Sequence, residues 1–537
     1  MSTASRTVAA VDAGRADASL VPALRLAAIF GLAKLLLTFG LTLYTTHIGY
    51  SYFRDEFYYL ACGHHLAWGY VDHGPIVAVQ ARLGEMLFGD SVFGIRVLSA
   101  VAGAMTVSLG GALCWALGGR RSAQALAMLG LMVTPQYIGV DGFLSMNSCE
   151  AVFWSACLLA VVRVARGGSA AKWWTVFGVS AGIGLLNKPS MAFFLIALGA
   201  GLMVTPHRRL LFTRWAALGV GLLVLIALPN VLWQIHNHWP TLEFLHNGRV
   251  GGKNVVLNPL QFFLAQLVNM HPLNALLWIT GVVALLRGRS IADSRWLGWT
   301  FVIFFVLMCA AHAKDYYLEG IYPAYFAAGA IAWEHRFAAA PGVRRQRLFA
   351  FPVYESLLVV TGVLILPMSS PVLRPATWVR YTTALHLHSG ATETSPTGPL
   401  PQFFADRFGW DEQYDIVAKT FHSLSPADQR RVCIFGADYG EAGNIDLRNR
   451  LHHDTLPPAL SGQNSYWTWG THGCDPDLVI AIIPDTPGEV GRKYESVTVL
   501  GHNSDPYSMP FERRNIYLLR GRRPTARFTW ADERFYY

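Results

Sequence analysis

Residues 21–45 read VPALRLAAIFGLAKLLLTFGLTLYT, a run in which Arg25 and Lys34 are the only charged positions. A helix needs roughly 20 largely apolar residues to cross a bilayer, so this stretch is long enough to span one. Working outward, the same criterion is met near 92–118, 122–140, 147–165, 172–187, 189–205, 212–231, 260–286, 296–312, 316–334 and 347–368. The reading is a mostly α, polytopic membrane protein with about eleven transmembrane helices. Composition agrees: 53% of the 537 residues are hydrophobic, 14% are charged and the mean hydropathy is +0.32. Soluble domains carry about 25% charged residues, so an ordinary soluble protein is excluded. The 50 Gly and 27 Pro follow no period, which excludes a collagen-like or low-complexity chain.

The net charge of +9 needs no nucleic-acid partner, because in a membrane protein the location of cations matters more than their sum. Arg120 and Arg121, then Arg163, Arg166 and Lys172, then Arg208, Arg209 and Arg214, then Arg287, Arg289 and Arg295, then Arg336, Arg344, Arg345 and Arg347 fall in alternate loops. These are expected to be cytoplasmic. The other loops (46–91, 141–146, 187–189, 232–259 and 312–315) are poorer in cations and richer in His, Trp, Asp and Tyr, and are expected to face outward. The polar residues 1–20 read as a cytoplasmic tail. The long run behind them ends in no small-residue cleavage site, against a removable signal peptide. The weakest span is 260–286, where Asn269 and His271-Pro272 interrupt the helix.

After about Met368 the pattern changes. Arg431–Gly436, Leu478–Ile483, Ser496–Leu500 and Asn515–Arg520 are short apolar runs with strand character, and Glu412–Ser423 has a helical period. Residues 369–537 are therefore expected to form an extracytoplasmic α/β domain, with 21–368 as the transmembrane domain. Of seven cysteines, five lie in or near apolar segments and none forms a CxxC pair, so no structural zinc motif is present. Cys433 and Cys474 both fall in the C-terminal region. An oxidising compartment permits a disulfide there, but their spacing does not demonstrate one.

Ionisable residues beside membrane spans are functional candidates. The first outward loop, 46–91, is dense with them: Arg54-Asp55-Glu56, Tyr58-Tyr59, His64-His65 and Trp68-Gly-Tyr-Val-Asp72-His73-Gly-Pro75. Residues 56–68 have helical spacing that fits a helix lying in the interface plane. Asp55-Glu56 at its start is read either as an N-terminal cap or as catalytic. Lys188 and Lys314 are isolated cations at outward ends of spans, where cations are disfavoured. Binding a phosphate is one reason for them, and snorkelling to the interface is the other. His64, His65, Asp72 and His73 carry metal-binding side chains, but their spacing matches no closed site, so a divalent ion is allowed and no cofactor is certain.

Arg54-Asp55-Glu56 with Tyr58-Tyr59 and the Trp68–Pro75 segment resembles the ArnT-like and protein O-mannosyltransferase group of membrane glycosyltransferases, which have the GT-C fold. Phe143–Glu150 with Phe153-Trp154, Gly184–Lys188, Lys314–Tyr317 with Tyr322-Pro323, and Asn444–Trp469 with Tyr439–Gly443 and Ser461–Trp467 resemble the same group. The resemblance implies a multi-pass enzyme of the cell inner membrane that moves a sugar from a polyprenyl-phosphate donor to an envelope acceptor (lipid, polysaccharide or protein) on the outer face. It implies Asp55 as general base, with Glu56 orienting the loop or assisting. It further implies Lys188, Lys314, Tyr316 and Tyr317 at the donor phosphate, and substrate contacts from His65, Asp72, His73, Asn147 and Glu150. Many members have Asp where Asn147 stands, and Glu150 follows one turn later. Asn147 is also read as the N-cap of helix 147–165. The loop residues Tyr439, Glu441, Asn464, Trp467 and Trp469 either grip a sugar or dock the domain.

Two other classes compete. A transporter or flippase of lipid-linked sugars would also place polar residues near spans, although no internal repeat is found. A non-enzymatic glycan-binding envelope protein leaves Asp55, Lys188 and Lys314 without a shared purpose.

Overall fold

The computed structural model describes residues 3–288, 291, 294–338, 344–387, 393–526 and 529–537, without side-chain detail before Leu20 or over 338–350. Arg289 and the side chains of Arg344, Arg345 and Arg347 in the expected cytoplasmic loops therefore lie outside the description.

Most of the chain before Ser369 is a helical bundle. Leu20–His47, Val92–Ala116, Met146–Ala165, Arg214–His236 and Phe351–Ser369 are each long and apolar enough to cross a membrane. Two further spans arise if broken pairs count as one each: Arg121–Met132 with Pro135–Asp141, bent by 61°, and Pro259–Asn269 with Asn274–Arg287, bent by 118°. The second break falls at His271-Pro272, where proline lacks the N–H that a continuous helix needs. A count of eleven is reached only if shorter helices also cross, such as Ser190–Met203 and Arg295–Ala310. The expected run at 316–334 opens with a 3₁₀ turn, Asp315–Ile321, and becomes α-helical at Tyr322. Aromatic packing locks the bundle: Trp154 stacks on Phe194 with ring centroids 4.6 Å apart, and Phe304 meets its ring edge-on at 5.3 Å.

The C-terminal part contains a five-stranded sheet in the order Ala459–Leu460, Cys433–Gly436, Leu478–Ile483, Asn515–Arg522, Tyr494–His502. The strands are β1 (Cys433–Gly436), β2 (Ala459–Leu460), β3 (Leu478–Ile483), β4 (Tyr494–His502) and β5 (Asn515–Arg522). β1 pairs parallel with β2 and β3, whereas β5 runs antiparallel to both β3 and β4. All four strand-like sequence runs fall on strands. The two-residue β2 is too short to leave a periodic signal. Central β3 is apolar on both faces because it is covered on both. Cys433 and Cys474 are disulfide-bonded, with Cα atoms 5.8 Å apart.

One contact joins sheet region and bundle at the segment that matters. The Tyr439–Leu451 helix, which follows β1, crosses the Arg54–His64 helix. Gly440 and Gly443 form the touching face, and a Cβ on them would collide with the Arg54 side chain and with Phe57. Residues Glu56 to Gly63 are consequently buried. The helix expected to lie in the membrane interface is instead a core helix under the C-terminal part, and it ends at His64. The next helix, Pro75–Phe88, is the amphipathic one: Val77, Ala78 and Ala81 are buried, whereas Leu83, Met86 and Leu87 are exposed.

Candidate functional site

Adjacent carboxylates at the start of the Arg54–His64 helix have opposite fates. Glu56 is fully buried. Its Oε1 accepts from Arg96 Nε at 2.7 Å and from the Leu144 N–H at 2.8 Å, while Oε2 accepts from Arg96 Nη2 at 2.7 Å and from the Phe53 N–H at 2.8 Å. Both oxygens are thus committed, one bond closing the helix N-terminus. Glu56 is the cap and the clamp of the loop, so of the two roles expected for it the geometry favours orienting. Asp55 is 29% exposed. Its Oδ1 accepts from the Tyr439 hydroxyl at 2.8 Å and lies 3.7 Å from Arg54 Nε.

Arg54 and Lys253 act on Asp55, and Lys314 joins them through their shared neighbour Glu393. Lys314 Nζ is 3.1 Å from Glu393 Oε1. Lys253 lies within electrostatic reach of Glu393, Arg54, Lys314 and Asp55. Burial would raise the Glu393 carboxyl, but Lys314, Lys253 and Arg54 together hold it down to about 2. Burial and the charges of Arg54 and Lys314 push the Lys253 ammonium below the ordinary lysine range, against the pull of Glu393. Arg54 also faces two buried acids. Glu512 Oε1 is 3.7 Å from its Nη1, and the Asp406 backbone carbonyl accepts from the Arg54 N–H at 3.1 Å. Burial lifts the Asp406 carboxyl to about 7, with Arg54 opposing and Asp55 and Glu393 adding to the rise.

A second cluster adjoins the first. Lys188 is buried and donates to Asn147 Oδ1 and Glu150 Oε2, both at 2.8 Å. Its Nζ sits over the Tyr317 ring at 4.5 Å and the Tyr316 ring at 5.3 Å. The snorkelling reading therefore does not describe Lys188, whose ammonium is turned inward to a carboxylate. Glu150 also accepts from the Ser190 hydroxyl. Asn147 is not the helix cap: Ser145 is, its hydroxyl accepting from the Asn147 N–H at 3.2 Å. Tyr316 feels the charges of both Lys188 and Glu393, and Tyr59 those of Asp55 and Tyr316, so the two clusters are electrostatically coupled.

The remaining expected residues separate. Asp72 accepts from the Tyr58 hydroxyl at 2.7 Å. His73 is 1% exposed and enclosed by Tyr58, Tyr59 and Tyr70, its Nδ1 2.7 Å from the Gly74 carbonyl. Burial lowers its basicity, against the pull of Asp72, and in this structure its contacts are those of a packed core side chain. His65 stacks on Trp469 with centroids 4.1 Å apart, and His64 Nε2 pairs with Glu85. The four side chains weighed as metal ligands thus turn to different partners. Among the described residues the acids placed to share an ion are Asp438, Glu441 and Glu512. A guanidinium already serves two of them: Arg514 Nη1 is 3.2 Å from Asp438 and 2.9 Å from Glu441. Tyr439 and Trp469 dock the C-terminal part onto the loop. Trp467 donates to the Trp530 carbonyl at 2.9 Å, and Asn464 accepts from the Tyr537 N–H at 3.1 Å.

Sequence reasoning missed Lys253, Glu393 and Asp406. Lys253 carries the same signal as Lys188 and Lys314, a cation in a loop expected to face outward. Glu393 and Asp406 have no spacing that marks them.

The geometry can be set beside known proteins. The family model for dolichyl-phosphate-mannose-protein mannosyltransferase matches residues 72–233. An undecaprenyl phosphate-alpha-4-amino-4-deoxy-L-arabinose arabinosyl transferase of Pseudomonas fluorescens is 26% identical over 170 residues, 30% of this chain and 29% of that protein. The lipid A galacturonosyltransferase RgtD of Rhizobium johnstonii is 23% identical over 283 residues, 50% of this chain and 57% of that protein. The alignments thus span less than two thirds of these relatives. The crystal structure of ArnT from Cupriavidus metallidurans bound to undecaprenyl phosphate superposes with TM-score 0.57 at 15% identity, covering 91% of this chain and 97% of that one. Its apo form gives TM-score 0.56. The family model and the relatives match parts of this chain, and the ArnT structures show that its fold is similar to theirs over most of its length.

Proposed function

We propose that the protein transfers a sugar from a polyprenyl-phosphate donor to an envelope acceptor at the extracytoplasmic face, in one inverting displacement. The observation that carries this reading is the partly exposed Asp55 carboxylate beside Arg54 and acted on by Lys253, with Lys314 paired to their shared neighbour Glu393 and the Lys188–Tyr316–Tyr317 cluster coupled to that same Glu393. Asp55 accepts the proton of the acceptor hydroxyl as that oxygen attacks the anomeric carbon. The bond to the carrier phosphate breaks, and the cations stabilise the charge that develops on the leaving phosphate. Glu393 and Glu150 hold the lysines in place until the phosphate competes for them. A loop of this kind works on the outer side of the membrane, with residues 1–20 inside, about eleven crossings, and 369–537 forming the outer domain.

The test is mass spectrometry of lipids and envelope glycoconjugates from cells lacking the gene, complemented by wild type or by Asp55→Asn. The expected result is a polyprenyl-phosphate sugar that accumulates and one glycoconjugate that loses the matching mass, in both deletion and variant. A wild-type profile with Asp55→Asn would refute the base assignment.

A further inference from the structure

The two oxygens of Asp55 are not equivalent. Oδ1 accepts from the Tyr439 hydroxyl and lies beside Arg54, whereas Oδ2 has no hydrogen-bond partner among the described residues. The direction of the Tyr439 bond is fixed as well. Arg54 Nη2 donates to the phenol oxygen at 3.3 Å, and a guanidinium can only donate, so the hydroxyl proton is left to point at Asp55. The ring cannot swing away, because it is stacked on Tyr58 at 4.6 Å with planes 27° apart and has the Arg54 guanidinium 5.3 Å from its centroid. Its backbone N–H is held by Gln463 Oε1 at 3.0 Å, and the Asp438 side chain caps its helix.

We infer that Tyr439 is a positioning residue of the sheet region that pins Oδ1 and so leaves Oδ2 as the oxygen that takes the acceptor proton. This rests on Asp55 being the base. Docking of the Tyr439–Leu451 helix through Gly440 and Gly443 and arming of the carboxylate are then one event, so a bundle without the C-terminal part keeps the base but loses its aim. Misplacement of a catalytic group by about 1 Å can cost about 100-fold in rate.

The test uses purified full-length protein in detergent. The lipid extract of a deletion strain serves as donor, titrated against the envelope fraction of that strain, and transfer is read by mass spectrometry. Tyr439→Phe keeps the stack and removes the donor. The expected result is a maximal turnover lower by about 10- to 100-fold, with the half-saturating amount of extract and the melting temperature unchanged. Unchanged turnover, or a shift in half-saturation alone, would overturn the inference. If the Phe variant fails to fold, 3-fluorotyrosine at 439 restores ring and hydroxyl and should retain turnover, and loss of turnover in folded protein would again overturn it. Asp55→Asn is measured alongside: residual turnover there defeats the base reading itself, whereas an inert Asp55→Asn beside a fully active Tyr439→Phe defeats only the role of Tyr439.

Discussion

Lys188, at the end of the Ala170–Asn187 helix, reaches Glu150 on the neighbouring Met146–Ala165 helix at 2.8 Å, and both side chains are buried. A buried ion pair contributes little net stability, because desolvation offsets its attraction, but removing one partner strands the other. The pair is thus held together by the cost of breaking it. That property suits a site where an arriving phosphate is to replace the carboxylate as the partner of the ammonium.

Lys188→Met should therefore lower both stability and donor affinity, the former by about 3–5 kcal/mol. The double variant Lys188→Met/Glu150→Gln separates the two effects. It should recover most of the melting temperature in detergent while donor half-saturation stays raised by about tenfold or more, the size of a lost charge-assisted hydrogen bond. Recovery of affinity along with stability would show that Lys188 does not meet the donor.

Glu56→Gln should behave unlike Asp55→Asn. Its carboxylate neutralises buried Arg96 and accepts from two backbone N–H groups, so its loss should destabilise by about 3–5 kcal/mol. Thermal unfolding and yield of inserted protein should fall together with activity. Asp55→Asn should leave both at wild-type level.

Stability should decline as pH rises from about 4 to 7. The Asp406 carboxyl is raised from 3.8 to about 7 by burial. Between those values the folded protein holds a proton that the unfolded chain has released, so the contribution of this group is fully present below about 3.8 and is lost as pH rises through about 7. Asp406→Asn should flatten this part of the melting-temperature profile. A profile that keeps its slope in the variant would assign the proton elsewhere.

Cutting the Cys433–Cys474 bridge should act on the sheet region. The bond closes a 41-residue separation, and a cross-link of this kind contributes about 2–4 kcal/mol by restricting the unfolded chain. Cys433→Ser/Cys474→Ser, or reduction, should lower the unfolding temperature by that equivalent. Turnover at low temperature should persist while the Tyr439–Asp55 contact holds.

The sequence by itself determined what depends on local composition. Apolar runs of bilayer length, the interruption at His271-Pro272, four strands and the helical period of Glu412–Ser423 are written in consecutive residues, because period and hydrophobicity act over one element. It also pointed to Asp55, Lys188 and Lys314, since a charge beside a span needs a reason to be there. Only the tertiary structure decided how neighbours divide their work. Asp55 and Glu56 are identical in kind and adjacent in sequence, yet Arg96, 40 residues away, takes one, while Tyr439, 384 residues away, holds an oxygen of the other. His73 became packing and Asn147 a partner of Lys188 for the same reason. Burial and long-range hydrogen bonding set the chemistry of a polar side chain, and neither has a period that a sequence can display.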